Sequence, residues 1–231
     1  MSNSNGLQSY FQFHNVDWSA MMSATWETVW MTLLSMVAVV IFGIILGLIL
    51  YETRNKPGIG YQLINWIVGL LVNIFRSIPY IILIILLLPV SKTLVGTIIG
   101  PKAALPSLIV SAAPFYARMV ESYFREIDSG VIEAVESMGA TTWELITKVL
   151  LPESKPALIA GATVTTISLI GYTAMAGAIG AGGLGNLVYQ EGFQAYNNTV
   201  TLVGTVIICI FVFVVQFVGD RLVKWTDKRT L

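Results

Sequence analysis

The stretch MTLLSMVAVVIFGIILGLILY, residues 31–51, decides the fold class, because none of its 21 residues is charged. It lies within the 24 uncharged residues between Glu27 and Glu52. A helix needs about 20 mostly apolar residues to cross the hydrocarbon core of a bilayer. This stretch is therefore predicted to form a membrane-spanning helix.

The composition of the whole chain agrees with a membrane protein. Of the 231 residues, 55% are apolar and 11% are charged, whereas roughly 25% are charged in ordinary soluble domains. The 13 basic residues balance the 13 acidic residues, so a surface for nucleic acid is not expected. A single cysteine, Cys209, excludes a disulfide framework and cysteine-based metal sites.

Four further spans are expected. Residues 156–190 and 192–219 are uncharged over 35 and 28 residues, and each stretch holds one span. Two weaker candidates, residues 61–89 and 103–125, carry charges. The predicted fold class is all-α, a polytopic membrane protein with five transmembrane helices.

The lysines and arginines predict the orientation, because basic residues in short loops stay on the cytoplasmic side. With five spans and the N-terminus outside, ten of the 13 basic residues are cytoplasmic. These ten are Arg54, Lys56, Arg118, Arg125, Lys148, Lys155, Arg221, Lys224, Lys228 and Arg229. Residues 1–27 lack the basic segment of a secretory signal. We expect a periplasmic tail at 1–27, one membrane domain at 28–225 and a cytoplasmic tail at 226–231.

The second span contains Arg76 and Pro79 and allows two interpretations. It is either one long, kinked helix or two spans at 61–75 and 78–99. The split would place the basic loops on opposite sides of the membrane, so one kinked helix is predicted. Because a charge at the bilayer centre costs about 2.5 to 3.5 kcal/mol, Arg76 should face protein or water. Both residues could be structural or could line a pathway.

The segment DSGVIEAVESMGATTWELITKVLLPESK, residues 128–155, predicts a helix-turn-helix in the loop after the third span. Ser129 is expected to cap the first helix, which ends at a left-handed Gly139. A capping box, Thr141 to Glu144, opens the second helix, and Pro152 is expected to stop it.

This loop is unusually apolar for a segment that faces water. Its apolar residues either form a docking surface for another protein or pack against the ends of the chain's own helices. They are Ile132, Val135, Met138, Trp143, Ile146 and Val149.

The same loop resembles the EAA loop of the membrane subunits of ABC importers, E-A-A, three residues, G, nine residues, I-x-L-P. The matching residues are Glu133, Ala134, Gly139, Leu151 and Pro152, with Val135 and Val149 as mild departures. Resemblance extends to NIFRSIPYIILI (73–84), AAPFYARMVE (112–121), GYTAMAGAIGAGGLG (171–185) and QFVGDRLVKW (216–225). The chain is thus similar to permeases of D- and L-methionine importers, which have the type I ABC importer fold.

The resemblance implies an assembly in the bacterial inner membrane. It implies a homodimer of this chain on two ATP-binding subunits, which hold ATP and Mg, and a periplasmic lipoprotein that delivers the amino acid. Residues 128–155, hereafter the coupling segment, would insert into a groove of the ATPase. The residues assigned to coupling are Glu133, Ala134, Val135, Gly139, Ala140, Val149, Leu151 and Pro152.

The chain itself carries no nucleotide-binding signature. It lacks G-x-x-x-x-G-K-[ST], so it is not expected to be an enzyme or to hold a cofactor. Gly180, Gly182 and Gly185 match G-x-G-x-x-G but lack the preceding strand and the downstream acid of a dinucleotide site. A tight periplasmic turn explains these glycines better.

The fourth span has a polar stripe. Thr165, Ser168, Tyr172 and Met175 recur at spacings of three, four and three, on one helical face. The stripe either lines a cavity or packs between helices, and small neighbouring residues favour packing. Tyr172 and Met175 are the candidate gate residues, because they are large enough to close a channel. Thr163, Thr166 and Thr173 widen the stripe.

Other polar residues point to structural roles. Arg118, Glu121 and Arg125 lie on one face of the third span and are expected to anchor it at the interface, with steering of a substrate as the alternative. His14 is predicted to be solvated, and Cys209 to be a small apolar filler.

Two other function classes remain open. An ion-driven secondary transporter would need an intramembrane acidic relay and internal repeats, and the spans show neither. A membrane scaffold would not need the polar stripe. Within the importer family, a permease for another small amino acid or related solute is the alternative.

Overall fold

The computed structural model describes residue 6 and residues 8–54 and 56–227, and within these residues it contains helices and turns but no strand. The helices are α1 (Trp18–Arg54), α2 (Ile59–Ser77), α3 (Tyr80–Leu86), α4 (Leu88–Val95), α5 (Pro101–Arg125), α6 (Ser129–Ser137), α7 (Thr142–Leu145), α8 (Leu151–Gly177), α9 (Gly183–Leu187) and α10 (Asn198–Thr226). Lys228 and Arg229, which contributed to the predicted orientation, lie outside the described residues, as do the outermost parts of both predicted tails.

Five helices are long and apolar enough to cross a membrane. Four are α1, α2, α5 and α10. The fifth is continuous from Thr142 to Gly177 and joins α7 to α8 through a π-helical turn, Ile146–Leu150. The prediction of an all-α protein with five spans is confirmed.

The first span is longer than its uncharged stretch suggested. Helix α1 has 37 residues, roughly 55 Å at 1.5 Å per residue, whereas the hydrocarbon core is about 30 Å thick. It begins at Trp18 because the Asp17 carboxylate accepts hydrogen bonds from the backbone N–H groups of Ser19 (2.9 Å) and Ala20 (3.0 Å). Helical structure therefore starts within the predicted tail, while the domain boundary at residue 27 stays a prediction.

The prediction of one kinked helix around Pro79 is wrong. Helix α2 ends at Ser77, and Pro79 is the N-cap of the separate helix α3. Proline lacks an N–H group and disfavours helical backbone at the preceding residue, here Ile78, so the helix breaks rather than bends. Only α2 is long enough to span, and α3 and α4 are short helices of 7 and 8 residues.

The chain divides into two compact units. The first consists of Met1–Val37, Ile78–Ser111 and Thr166–Val215. Its core joins the start of α1 to α9 and the start of α10, through Val16, Met21, Ala24, Leu184, Val200 and Val203. Buried apolar surface thus holds the glycine-rich region after α8 in place.

The second unit consists of Ala38–Ser77, Ala112–Thr165 and Gln216–Leu231. Its helices approach closely at small residues, as is usual in membranes. The Tyr116 ring lies against Gly43, where a Cβ atom would be 2.5 Å from Cδ1, and the Tyr116 hydroxyl donates to the Leu158 carbonyl at 3.0 Å. Tyr116 is fully buried and ties α1, α5 and α8 together.

Candidate functional site

The first helix of the coupling segment is capped one residue earlier than predicted. The Asp128 carboxylate, rather than the Ser129 hydroxyl, accepts a hydrogen bond from the Gly130 N–H at 2.7 Å. Ser129 is already helical, and only the residue before it can present its side chain to the free N–H groups. Helix α6 ends at Ser137, and Gly139 has φ +83°, which confirms the predicted left-handed residue.

The second helix begins with the predicted capping box. The Glu144 N–H donates to Thr141 Oγ1 at 3.3 Å, and the Thr141 N–H donates to Glu144 Oε2 at 3.1 Å. Lys148 Nζ pairs with Glu144 Oε1 at 2.8 Å, one turn further along the helix. Local hydrogen bonds therefore specify the bend between α6 and α7.

The prediction that Pro152 stops this helix is wrong. The helix continues through Pro152 into α8 because residues 146–150 form a wide π-helical turn, in which the Leu151 N–H donates to the Ile146 carbonyl. Pro152 has no N–H group to place in the ladder, and a wide turn relieves the clash of its ring with the preceding turn. The coupling segment is thus continuous with the fourth span.

The residues assigned to coupling differ in burial. Glu133, Ala134, Gly139 and Pro152 are exposed, Val135, Ala140 and Leu151 are half-buried, and Val149 is buried. Two large apolar side chains of the same segment are the most exposed, with Met138 77% and Trp143 72% accessible. Packing against the chain's own helices accounts for Val149 but leaves Met138 and Trp143 uncovered.

The polar stripe of the fourth span is mostly buried. Thr165 and Thr173 are fully buried, and Thr163 and Thr166 nearly so. Three of these hydroxyls donate to carbonyls of their own helix: Thr163 to Ile159, Thr165 to Gly161 and Thr173 to Ile170, at 2.7–2.9 Å. Burial and internal hydrogen bonds favour helix packing for the threonines.

The C-terminal end of the stripe, at Tyr172 and Met175, is less buried than the threonines. The Tyr172 ring stacks on Tyr80 of α3, with centroids 4.8 Å apart and planes 15° from parallel. The Tyr80 hydroxyl lies 3.3 Å from the Ser107 hydroxyl of α5. Ser168 is half-buried, and Met175 is 44% exposed. Tyr80 is not among the residues predicted from the sequence, although its position directly after Pro79 marks the start of a helix.

Met175 is followed by a tight turn, residues 177–185, hereafter the glycine turn. Gly180, Gly182 and Gly183 have φ between +74° and +88°, a backbone region that favours glycine. The Gly183 N–H donates to Glu27 Oε2 at 2.7 Å, and the Gly100 N–H donates to the Gly180 carbonyl at 2.9 Å. The predicted tight turn is confirmed.

Arg118 and Glu121 of α5 belong to an ion network centred on a buried carboxylate. Glu121 is 4% exposed, and its carboxylate pairs with Arg118 Nη1 at 2.7 Å and Arg54 Nη1 at 3.2 Å. Arg118 Nη2 also donates to the Gly69 carbonyl and to Asn73 Oδ1. The network joins α1, α2 and α5, which no spacing in the sequence indicated. Arg125 is exposed and does not belong to these pairs.

The remaining candidates lie apart from these sites. Arg76 is exposed, with its guanidinium carbon 5.9 Å from the Phe115 ring centroid. His14 is exposed, as predicted, but Cys209 is also exposed and does not fill space within this chain, contrary to the prediction. Among the described residues, no group of three His, Cys, Asp or Glu side chains could hold a metal ion.

Comparisons with known proteins place the chain among transport components. Residues 43–231 match the model of the family "Binding-protein-dependent transport system inner membrane component". The methionine import system permease protein MetP of Bacillus subtilis is 56% identical over 94% of this chain and 98% of the relative. The D-methionine transport system permease protein MetI of Escherichia coli K12 is 47% identical over 90% and 96% of the two chains.

A solved structure supports the same placement. A chain of the MetNI methionine ABC transporter in an inward-facing conformation superimposes with a TM-score of 0.88, at 45% identity, over 91% of this chain and 98% of that one. The chain therefore belongs to the family of binding-protein-dependent transport system inner membrane components.

Proposed function

We propose that this chain is the permease subunit of an ATP-driven importer that moves D- and L-methionine from the periplasm to the cytoplasm by alternating access. The observation that carries the proposal is the 56% identity to a methionine import permease over nearly the full length of both chains. The five spans supply the membrane domain through which the amino acid would pass.

ATP hydrolysis belongs to separate subunits that dock on the coupling segment. The support is the exposure of Glu133, Ala134 and Gly139 together with the large apolar side chains of Met138 and Trp143. Exposed apolar residues rimmed by polar ones mark protein interaction sites. Since the segment runs without a break into α8, closure of two ATPase subunits would be transmitted to the start of the fourth span.

The complete assembly is a homodimer of this chain, two ATPase subunits and a periplasmic lipoprotein. We place the N-terminus in the periplasm and the C-terminus in the cytoplasm. This orientation puts Arg54, Lys148 and Lys224 on the cytoplasmic side, as the distribution of basic residues requires. It also puts the coupling segment on the side where ATP is available and the glycine turn on the side where the lipoprotein delivers its cargo.

The outer gate lies at the end of the fourth span. Tyr172 is fixed by its stack on Tyr80, whereas Met175 presents nearly half of its surface. Ser168 lies one turn before Tyr172 and would line the pathway below the gate.

Met175→Ala should raise ATP-independent methionine leak in vesicles. Val164→Ala, which removes a side chain of similar exposure from the same helix, should leave the leak unchanged, and equal leak in both variants would remove Met175 from the gate.

Uptake by the reconstituted assembly tests the function. Proteoliposomes with this chain, its ATPase and its binding lipoprotein should accumulate methionine only when ATP is supplied. In a panel of labelled amino acids, methionine enantiomers should compete with labelled methionine more effectively than other small amino acids. Preferred uptake of another amino acid would show that methionine is not the main substrate. Uptake driven by an ion gradient without ATP would show that the chain does not work in an ATP-driven importer.

A further inference from the structure

A single acidic residue stands out in the first span. Between Asp17 and Glu52, the only charged residue is Glu27. A charge in a membrane helix is costly unless it has a partner. Glu27 is half-buried in the first unit, and its carboxylate meets a backbone N–H group far along the chain.

Glu27 and its neighbour Thr28 hold the start of α9. Glu27 Oε2 accepts a hydrogen bond from the Gly183 N–H at 2.7 Å, and Thr28 Oγ1 accepts one from the Leu184 N–H at 2.9 Å. The first N–H groups of a helix lack acceptors within the helix. Two adjacent side chains of α1 therefore satisfy the start of a helix 156 residues away.

The glycine turn is shaped to admit these two side chains. A Cβ atom on Gly182 would lie 2.7 Å from Glu27 Oε2, and one on Gly183 would lie 2.7 Å from Thr28 Oγ1. On the other side, a Cβ on Gly182 would lie 2.9 Å from Pro101 of α5. The turn is thus enclosed between α1 and α5, and it is not a loose loop.

The clamped turn is in direct backbone contact with the end of α8. A Cβ atom on Gly177 would lie 2.5 Å from the Gly185 carbonyl carbon, and one on Gly185 would lie 2.5 Å from Ala174 Cα. With no side chains between them, α9 and the last turn of α8 cannot move independently. Met175 lies on that last turn.

We propose that Glu27 and Thr28 are positioning residues for the outer gate. They hold the glycine turn on α1, and through the contact of Gly177 with Gly185 they keep Met175 in its closed position. Opening the gate would require breaking both hydrogen bonds. This proposal rests on the proposed function, in which Met175 closes the pathway.

Labelling of a cysteine at the gate tests the clamp. The probe is Met175→Cys in a Cys209→Ser background, because Cys209 is itself exposed, in the full permease–ATPase complex in proteoliposomes. A membrane-impermeant maleimide reports its accessibility with and without trapped ATP. Two matched pairs are compared: Thr28→Val, which lacks the acceptor, with Thr28→Ser, which keeps it, and Glu27→Ala with Glu27→Gln.

The acceptor-deficient variants should be labelled faster without nucleotide, by roughly tenfold for Glu27→Ala, since a hydrogen bond to a charged group is lost. Their labelling should also lose its dependence on trapped ATP. Thr28→Ser should stay within about twofold of the parent, because an acceptor remains, and Glu27→Gln, which keeps a neutral acceptor, should lie between the parent and Glu27→Ala. A purely structural role would lower the yield of complex without separating the members of a pair.

Equal labelling rates within both pairs would overturn the clamp. If Glu27→Ala does not assemble, the nearly isosteric Thr28 pair alone decides. Methionine uptake is measured in separate vesicles that hold the complex with Met175 and Cys209 unchanged. If labelling differs within the pairs but no methionine uptake is seen, the clamp is supported and methionine is not the substrate. A failure of the clamp and a failure of the proposed function therefore give different results.

Discussion

The coupling segment and the glycine turn are built from similar parts but are held in different ways. Each joins two helices through glycine with positive φ, at Gly139 in one and at Gly180, Gly182 and Gly183 in the other. The hydrogen bonds that shape α6 and α7 join residues at most five apart. Those that hold the glycine turn reach 156 residues along the chain.

The two regions also differ in how much of their surface is exposed. The coupling segment presents Met138 and Trp143 almost completely, whereas Gly183 and Leu184 are buried. A segment shaped only by local bonds keeps its form while its surface remains open to a partner. The glycine turn, by contrast, already has its hydrogen-bond partners, Glu27 and Thr28, within this chain. Changes to the exposed side chains of the coupling segment should therefore affect association, and changes that crowd the glycine turn should affect folding.

Gly177→Ala should have the largest effect. A methyl group there would overlap the backbone of Gly185 and Asn186, neither of which can rotate away. We expect a loss of about 3 kcal/mol, the upper end for overpacking, seen as a lower unfolding midpoint of the purified protein. Gly171→Ala is the matched control, because nothing lies within 4 Å of that position. Equal midpoints for the two variants would contradict the backbone contact.

Trp143→Ala should act on association instead. An exposed aromatic anchor can contribute about 2 kcal/mol to an interface, roughly 30-fold in affinity. Its removal should change the stability of the isolated permease by less than about 0.5 kcal/mol. Trp26→Ala, at a similarly exposed tryptophan of α1, is the control, and affinity for the ATPase subunit is measured for both. Equal loss of affinity would mean that Trp143 has no special place in the interface.

Gly139→Ala separates backbone strain from crowding. Nothing lies within 4 Å of a Cβ at this position, but φ is +83°. The cost should be about 1.5 kcal/mol, from left-handed backbone alone, and thus smaller than that of Gly177→Ala. Thermal unfolding of the two variants side by side checks the order. A larger loss for Gly139→Ala would mean that the coupling segment is not the more open of the two regions.

Thr141→Ala should have the smallest effect. It removes one half of the capping box at α7 and costs about 1 kcal/mol, because Glu144 keeps its pair with Lys148. Thr141→Ser preserves the hydroxyl and should restore the parent value. Hydrogen exchange of the α7 amides measures the local loss, and unchanged protection in Thr141→Ala would show that the box does not hold this helix.

What could be predicted from the sequence depended on the distance between the interacting residues. The spans, the left-handed Gly139 and the capping box at Thr141 are local properties and were predicted. The break at Pro79 and the continuation through Pro152 were not, because proline marks a disturbance without saying whether the helix ends or widens. Pairing of Glu121 with Arg54 and of Glu27 with Gly183 depends on packing between distant helices, which no spacing encodes.

The link between ATP hydrolysis and transport is tested most directly by measuring methionine uptake and ATP hydrolysis together, in proteoliposomes with the complete assembly, for the parent, Glu133→Ala and Trp143→Ala. We predict ATP-dependent methionine uptake by the parent. In the two variants, uptake should fall at unchanged permease stability, with hydrolysis either lost with the ATPase or no longer matched by transport. Unchanged uptake together with unchanged ATP hydrolysis in both variants would contradict the claim that the exposed coupling segment links ATP hydrolysis to transport.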